Sequence, residues 1–291
     1  MTRCGSLEDL RTILINSPEF AATTGNQFGR PDMAIVDNRT NQVVDFGATT
    51  QQLQDLWAQV GRSWESLGQD QPFHSVVTLD EFSPEKIDAN AAEFWETGVH
   101  DTNKILDICK SCGIDLTPLN VALEYGCGVG RASVYLSSLF KTVHALDVSR
   151  HHLDIARQRA EQLHLDNIDF RLVNPSSFEE LPQFDFFYSR LVLQHNPPPV
   201  IAFILTGLLQ NLTPGGAGVF QVPVYMAGYR FGTAQYLKST PPDLDMHCLP
   251  QSEVFDLVAR AGCTICEVRE DGDVGKFGEW VSNTIAVRKT L

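Results

Sequence analysis

Val121-Ala-Leu-Glu-Tyr125, followed directly by Gly126-Cys-Gly128-Val-Gly130-Arg131, decides the fold. A short apolar run, then alternating glycines, then the helical pattern of Arg131–Leu139 predicts strand, tight turn and helix. Glycine lets such a turn close sharply and brings backbone near a ligand without a Cβ in the way. In an open α/β sheet this turn borders the crevice where ligands bind.

Outward from that turn, β-branched and aromatic runs recur at 142–148, 168–173, 184–190, 216–222, 264–268 and 280–287. Helical patterns fill the gaps at 150–163, 200–209 and 252–261. This alternation predicts an α/β fold: a doubly wound, Rossmann-like, mainly parallel seven-stranded sheet covered on both faces. Only a glycine-bearing turn region, Asp271 to Gly278, separates the last two runs, so they are expected to pair antiparallel at one edge. Upstream, Leu53, Leu56, Trp57, Val60 and Trp64 mark one face of a helix over 49–68, and a second helix is expected from about Pro84 to Gly113. A hairpin of 33–37 with 42–46 precedes them. The expected division is an N-terminal segment with a helical cap over 1–115 and a ligand-binding domain over 116–291. The long connection 224–250 forms an insertion at the sheet rim.

Composition narrows the partners. The chain has 291 residues, 22 Lys and Arg against 36 Asp and Glu, and a net charge of −14, which argues against nucleic acid as the main partner. Val200–Leu209, the longest apolar stretch, contains Thr206 and Gly207 and is too short to cross a bilayer. Glu8 and Asp9 stand where a secretory peptide needs apolar residues, so a soluble, cytoplasmic protein without membrane attachment is expected. Cys109/Cys112 and Cys263/Cys266 have CxxC spacing, but they fall inside a helical and a strand pattern, which favours buried thiols over zinc. No carboxylate cluster stands near the ends of the fourth and fifth strands: Asp185 is at the wrong end of its strand and Asn196 stands alone. No metal is expected.

The ligand follows from spacing. A dinucleotide fingerprint reads GxGxxG, whereas this chain reads GxGxG with Arg131 where the last glycine would fall. Glu124, two residues before the first glycine, would repel a pyrophosphate and attract a cation. Asp147, at the end of the next strand, suits a ribose in either case. A nicotinamide-dependent oxidoreductase stays open as the alternative, as does a noncatalytic binding protein of the same fold.

ALEYGCGVGR, HALDVS, FDFFYSRLVLQH and LTPGGAGVFQVP together resemble a class I S-adenosylmethionine-dependent methyltransferase of small-molecule type over about 120–287. The resemblance implies S-adenosyl-L-methionine as cofactor and S-adenosyl-L-homocysteine as its product. It implies that Glu124, Gly126, Gly128, Gly130 and Arg131 bound the methionine end. Asp147 would accept the ribose hydroxyls, with Val148 against adenine. The family's usual acid after the third strand is missing here, so Asn174 and Ser177 are offered for the adenine edge. Ser189, Arg190 and Leu191 would sit beneath the sulfonium.

His195, after the fourth strand, is the candidate general base, the alternative being an imidazole that hydrogen-bonds a loop carbonyl and shapes the pocket. Tyr225, Tyr229, Arg230 and His247 of the insertion, with Trp95 of the cap, are the expected acceptor contacts. The expected reaction moves a methyl group to an oxygen, or a nitrogen, of a small molecule such as a sugar or hydroxylated metabolite.

Overall fold

A computed structural model describes residues 42–178, 180–275 and 279–291. The 33–37 arm of the expected hairpin lies outside the described residues. Its other arm pairs elsewhere: β1 (Val43–Val44) lies parallel to β7 (Arg230–Phe231). Gln42 adds to this junction, its amide donating to the Val224 carbonyl and accepting from the Met226 N–H.

Helix α1 (Thr50–Asp70) begins at a capping box, in which the Thr49 hydroxyl accepts the Gln52 N–H and the Gln52 side chain accepts the Thr49 N–H. Its apolar stripe buries Leu56, Trp57, Val60 and Leu67. Helix α2 (Ile87–Ser111) starts later than expected and is preceded by a separate 3₁₀ turn over Asp80–Phe82.

The sheet has the order β4-β3-β2-β5-β6-β9-β8. β2 (Val121–Tyr125), β3 (Thr142–Asp147), β4 (Ile168–Leu172), β5 (Phe184–Ser189) and β6 (Leu212–Met226) are parallel. The last two runs pair antiparallel, as their spacing implies, but β9 (Trp280–Lys289) inserts between β6 and β8 (Cys263–Glu270) and pairs antiparallel with both. The outermost strand β8 therefore points the same way as the parallel ones. β6 extends well beyond the apolar run that announces it, because β9 pairs along it as far as Met226. Its register shifts at Pro223, which has no N–H to give the ladder.

Alternation along the strands serves two cores. Leu123, Phe187 and Phe220 face one side with α5 (Pro198–Asn211), while Ala122, Phe186 and Val219 face the side covered by Ile105 and Ile108 of α2. Gln42–Leu291 forms one compact unit, so α1 and α2 share it with the sheet. The helix after the glycine turn is reduced to α3 (Ser133–Leu136), with three-residue closures such as Tyr135 N–H to the Ala132 carbonyl on its flanks. α4 (Arg150–Gln162), α6 (Thr233–Tyr236) and α7 (Gln251–Arg260) complete the helices.

Candidate functional site

At the carboxyl ends of β2, β3 and β5 lies a cleft of about 770 Å³. Glu124, Gly126 and Gly128 form its floor, Asp147 and Val148 one side, and Arg131, Arg190 and Leu191 the other. Both glycines adopt positive φ, 76° and 53°, which a side chain would strain. A Cβ on Gly126 would sit 2.3 Å from Val192, and one on Gly128 2.8 Å from Val76. Gly130, also at positive φ (79°), does not line the cleft: a Cβ there would lie 3.0 Å from the Cβ of Ala156 in α4, so it is a packing glycine.

Asp147 is tied to the turn it faces. One carboxylate oxygen accepts the Gly128 N–H at 2.8 Å and the other the Ser149 N–H at 2.9 Å. Glu124 is buried beside it, accepting the Ser133 hydroxyl at 2.5 Å. Burial outweighs that bond and the nearby Arg131 cation, and Asp101 and Asp147 add repulsion, so the Glu124 carboxyl is pushed up to about 7. A cation entering the cleft would relieve this, which suits a sulfonium or an ammonium.

The cap supplies a buried carboxylate the sequence reading missed. Asp101 of α2 meets Arg131 at 2.5 Å and Arg190 at 2.6 Å, and Arg190 reaches Asp273 at 2.8 Å. Val60, Trp64, Ser75, Val76, Tyr188 and Asn196 also line the cleft and were not foreseen. Trp64 and Val60 were legible only as apolar helix positions; nothing in Ser75-Val76 or Tyr188 distinguishes them from core.

Several expected residues lie elsewhere. Trp95 packs on Phe94 and Phe73 and beneath the Arg159 guanidinium, off the cleft, because its side of α2 faces the cap's own aromatic cluster. Asn174 and Ser177 bond each other's backbone N–H across a 3₁₀ turn, an exposed local cap that leaves neither on the cleft wall. The Ser189 hydroxyl donates to the Tyr125 carbonyl, a strand-to-strand brace.

His195 stands behind the wall: its ring meets Trp64 at 5.3 Å, and Nδ1 lies 3.1 Å from the Asp245 carbonyl. That carbonyl fixes the proton on Nδ1 and leaves the lone pair on Nε2, while burial pulls the imidazole down to about 4. The insertion residues form their own cluster. The Tyr229 hydroxyl is 2.7 Å from His247 Nδ1, and His247 Nε2 is 3.2 Å from the Asp245 carboxylate. Tyr225 is half-buried against the main core and Arg230 is exposed on β7, so none of these four contributes to the cleft wall.

Cys127 of the glycine turn lines the cleft, whereas the four thiols of CxxC spacing stay apart from it: Cys109 and Cys263 are buried, Cys112 is half-buried and Cys266, against expectation, is exposed. Burial pushes Cys109 up to about 12, and Cys112 donates to the Glu267 carboxylate at 3.4 Å. Among the described residues no group of His, Cys, Asp and Glu could hold a metal ion, and no helix is long and apolar enough to cross a membrane.

Comparison with known proteins adds a family. The profile of a methyltransferase domain matches residues 122–216, from β2 through the start of β6. A ubiquinone biosynthesis O-methyltransferase of Ruegeria pomeroyi is 27% identical over 219 residues, 64% of this chain and 83% of that one. A protein-L-isoaspartate O-methyltransferase of Picosynechococcus is 30% identical over 132 residues, 45% of this chain and 54% of its own. Among solved structures, the [4+2]-cyclase SpnF superposes with TM-score 0.53 at 13% identity, covering 86% of this chain and all of its own. A Galdieria sulphuraria protein, provisionally assigned as a sarcosine dimethylglycine methyltransferase, gives 0.52 at 16% identity over 68% of this chain and 87% of its own. At such identities these structures show the fold alone.

Proposed function

The chain is a class I S-adenosylmethionine-dependent methyltransferase, and from that premise we propose that it methylates an oxygen of a small hydroxylated molecule. One observation carries the donor half: Glu124 and Asp147, on the neighbouring strands β2 and β3, converge on one cleft floored by the glycine turn. Bound there, S-adenosylmethionine supplies an activated methyl group on a positively charged sulfur. Asp147 would hold the ribose hydroxyls, Val148 and Val192 the adenine faces, and Glu124 the positive end. Gly126 and Gly128 leave room for the ligand against the backbone. Arg131 and Arg190, both held by Asp101, would frame the methionine portion.

The residues' task in such a transfer is alignment and exclusion of water, and alignment of this kind is worth roughly 7–11 kcal/mol. The cap side chains Val60, Trp64 and Val76 close the cleft with apolar surface and serve that exclusion. A hydroxyl acceptor must also lose its proton. His195 is the proposed recipient through Nε2, neutral at every pH above about 4, so its protonation would place no acid limb near pH 6.5.

His195→Ala is expected to lower kcat by ~10²-fold, the lower end of general-base effects, with affinity for S-adenosylhomocysteine unchanged. Transfer of tritiated methyl groups into a panel of glycosides, phenols and amines is the measurement. Unchanged kcat would favour the second reading, a neutral amine acceptor, which attacks through its own lone pair. The observation on its side is that His195 stands behind Trp64 rather than on the cleft wall. Calorimetry with S-adenosylhomocysteine and with a nicotinamide dinucleotide separates both from the oxidoreductase alternative: heat with the second alone would sink the donor assignment.

A further inference from the structure

A second cleft, of about 630 Å³, opens between α2 and the β9–β8 edge of the sheet. Its apolar wall is Ile105, Ile108 and Val219, and its rim carries Lys104, Glu270 and Asp271. Asp101, Tyr188 and Arg190 line both clefts, so these three side chains are the partition between them. Tyr188 is the unexplained member. Its hydroxyl is fully buried and has no hydrogen-bond partner, although Asp101, Arg190, Arg131 and Glu124 all surround it. A buried hydroxyl left unpaired forfeits its hydration with no return, and native interiors rarely keep one without a use. Phenylalanine would fill the same space without that cost, and Phe186 and Phe187 already do so on the same strand.

We propose that the second cleft admits the methyl acceptor, that its entry parts the Asp101–Arg190 contact and uncovers the Tyr188 hydroxyl, and that this hydroxyl then binds the acceptor's reacting end. This rests on the donor half of the methyltransferase reading above and not on His195, which lines neither cleft, and it replaces the 224–250 insertion as the acceptor's place. Burial and the neighbouring carboxylate hold the Tyr188 proton on far above neutral pH, so the hydroxyl serves not as a base but as a hydrogen-bond donor to the acceptor oxygen, whose second lone pair stays free to attack the methyl carbon. The lining also selects a chemical class. Four carboxylates, Asp101, Glu270, Asp271 and Asp273, face three cations, and of these Arg190 is held by Asp101 and Asp273, Lys104 by Asp273 and Arg269 by Glu267. With apolar wall and acidic rim, the cleft takes a neutral or amine-bearing amphipathic molecule and rejects carboxylates and phosphates.

Tyr188→Phe and Thr284→Trp test this, the second projecting bulk from β9 into the far side of the cleft; Lys104→Trp does so from the exposed face of α2. Each is compared with the unmodified protein for unfolding temperature, for S-adenosylhomocysteine affinity by calorimetry, and for methyl transfer to glycosides, primary amines and carboxylic acids. Methyl-labelled isoleucine spectra of the S-adenosylhomocysteine-loaded protein report occupancy directly at Ile105 and Ile108.

The expected result is cofactor affinity within about two-fold of the parent for all three variants. Tyr188→Phe should unfold no earlier than the parent yet lose at least ten-fold in kcat/KM, and the tryptophan variants should raise acceptor KM by at least ten-fold. Glycosides or amines, and no carboxylic acid, should shift the two isoleucine signals. Parent-like turnover in Tyr188→Phe, or isoleucine signals that no compound moves, would overturn the proposal. Failure of the parent to bind S-adenosylhomocysteine would overturn the donor reading instead, and is seen in the first titration.

Discussion

Glu124 carries the most informative titration in the molecule. Its carboxyl lies near 7 in the folded chain against an ordinary value of 4.5. The native state therefore holds an extra proton between those values. Its contribution to stability is complete below about pH 4.5 and is lost as pH rises through about 7, a change of about 3 kcal/mol. Glu124→Gln should flatten that part of the stability profile of the ligand-free protein, as read by urea unfolding at pH 5 and pH 8. A positively charged ligand beside Glu124 favours its ionised form, so affinity for S-adenosylmethionine should rise with pH through 7, and Glu124→Gln should remove the slope. At Asp147, replacement by alanine frees the N–H groups of Gly128 and Ser149 as well as the proposed ribose contact. Asp147→Ala should thus weaken S-adenosylhomocysteine at least a hundred-fold by calorimetry; unchanged affinity would show that the ribose lies elsewhere.

At the scale of elements, the decisive contact is α2 on the glycine turn. A Cβ on Gly98 would come within 2.1 Å of the Arg131 carbonyl oxygen and 2.9 Å of the Tyr135 ring. Backbone meets backbone there, and the same helix turn brings in Asp101, which clamps Arg131 and Arg190. Gly98→Ala forces these apart. It should lower stability by about 1–3 kcal/mol, the usual cost of overpacking, and weaken cofactor binding together with it. Gly61 of α1 has open space at its Cβ position, so Gly61→Ala is the control expected to keep or raise the unfolding temperature. The two helices were legible as amphipathic stretches; that α2 delivers an acid to the cofactor turn was not, because Asp101 reads in sequence as one more surface charge.

For the whole molecule, cap and sheet share one compact unit, and the cleft has walls from both. A ligand at a hundred times its dissociation constant stabilises a fold by about 2.7 kcal/mol. S-adenosylhomocysteine should accordingly slow amide exchange in 71–79 and α1 as well as in the glycine turn; protection confined to the sheet would contradict a cap that closes over the ligand. Chelators should leave methyl transfer unchanged, since the proposed chemistry assigns a metal no task.

Sequence alone determined the sheet, the glycine turn, and the pair Glu124 and Asp147, because strand periodicity and turn glycines are local signals that hold wherever the chain goes. The pairing inside the insertion was illegible for the complementary reason. Tyr229 and His247 have the chemistry of an acceptor pocket, yet they satisfy each other and Asp245 at a distance in sequence that no pattern encodes. Only tertiary structure put Trp64 rather than Trp95 on the cleft, set His195 behind it, and left the Tyr188 hydroxyl without a partner. Whether a polar group is satisfied or a side chain reaches a cavity depends on which distant elements meet it, and that is decided by packing.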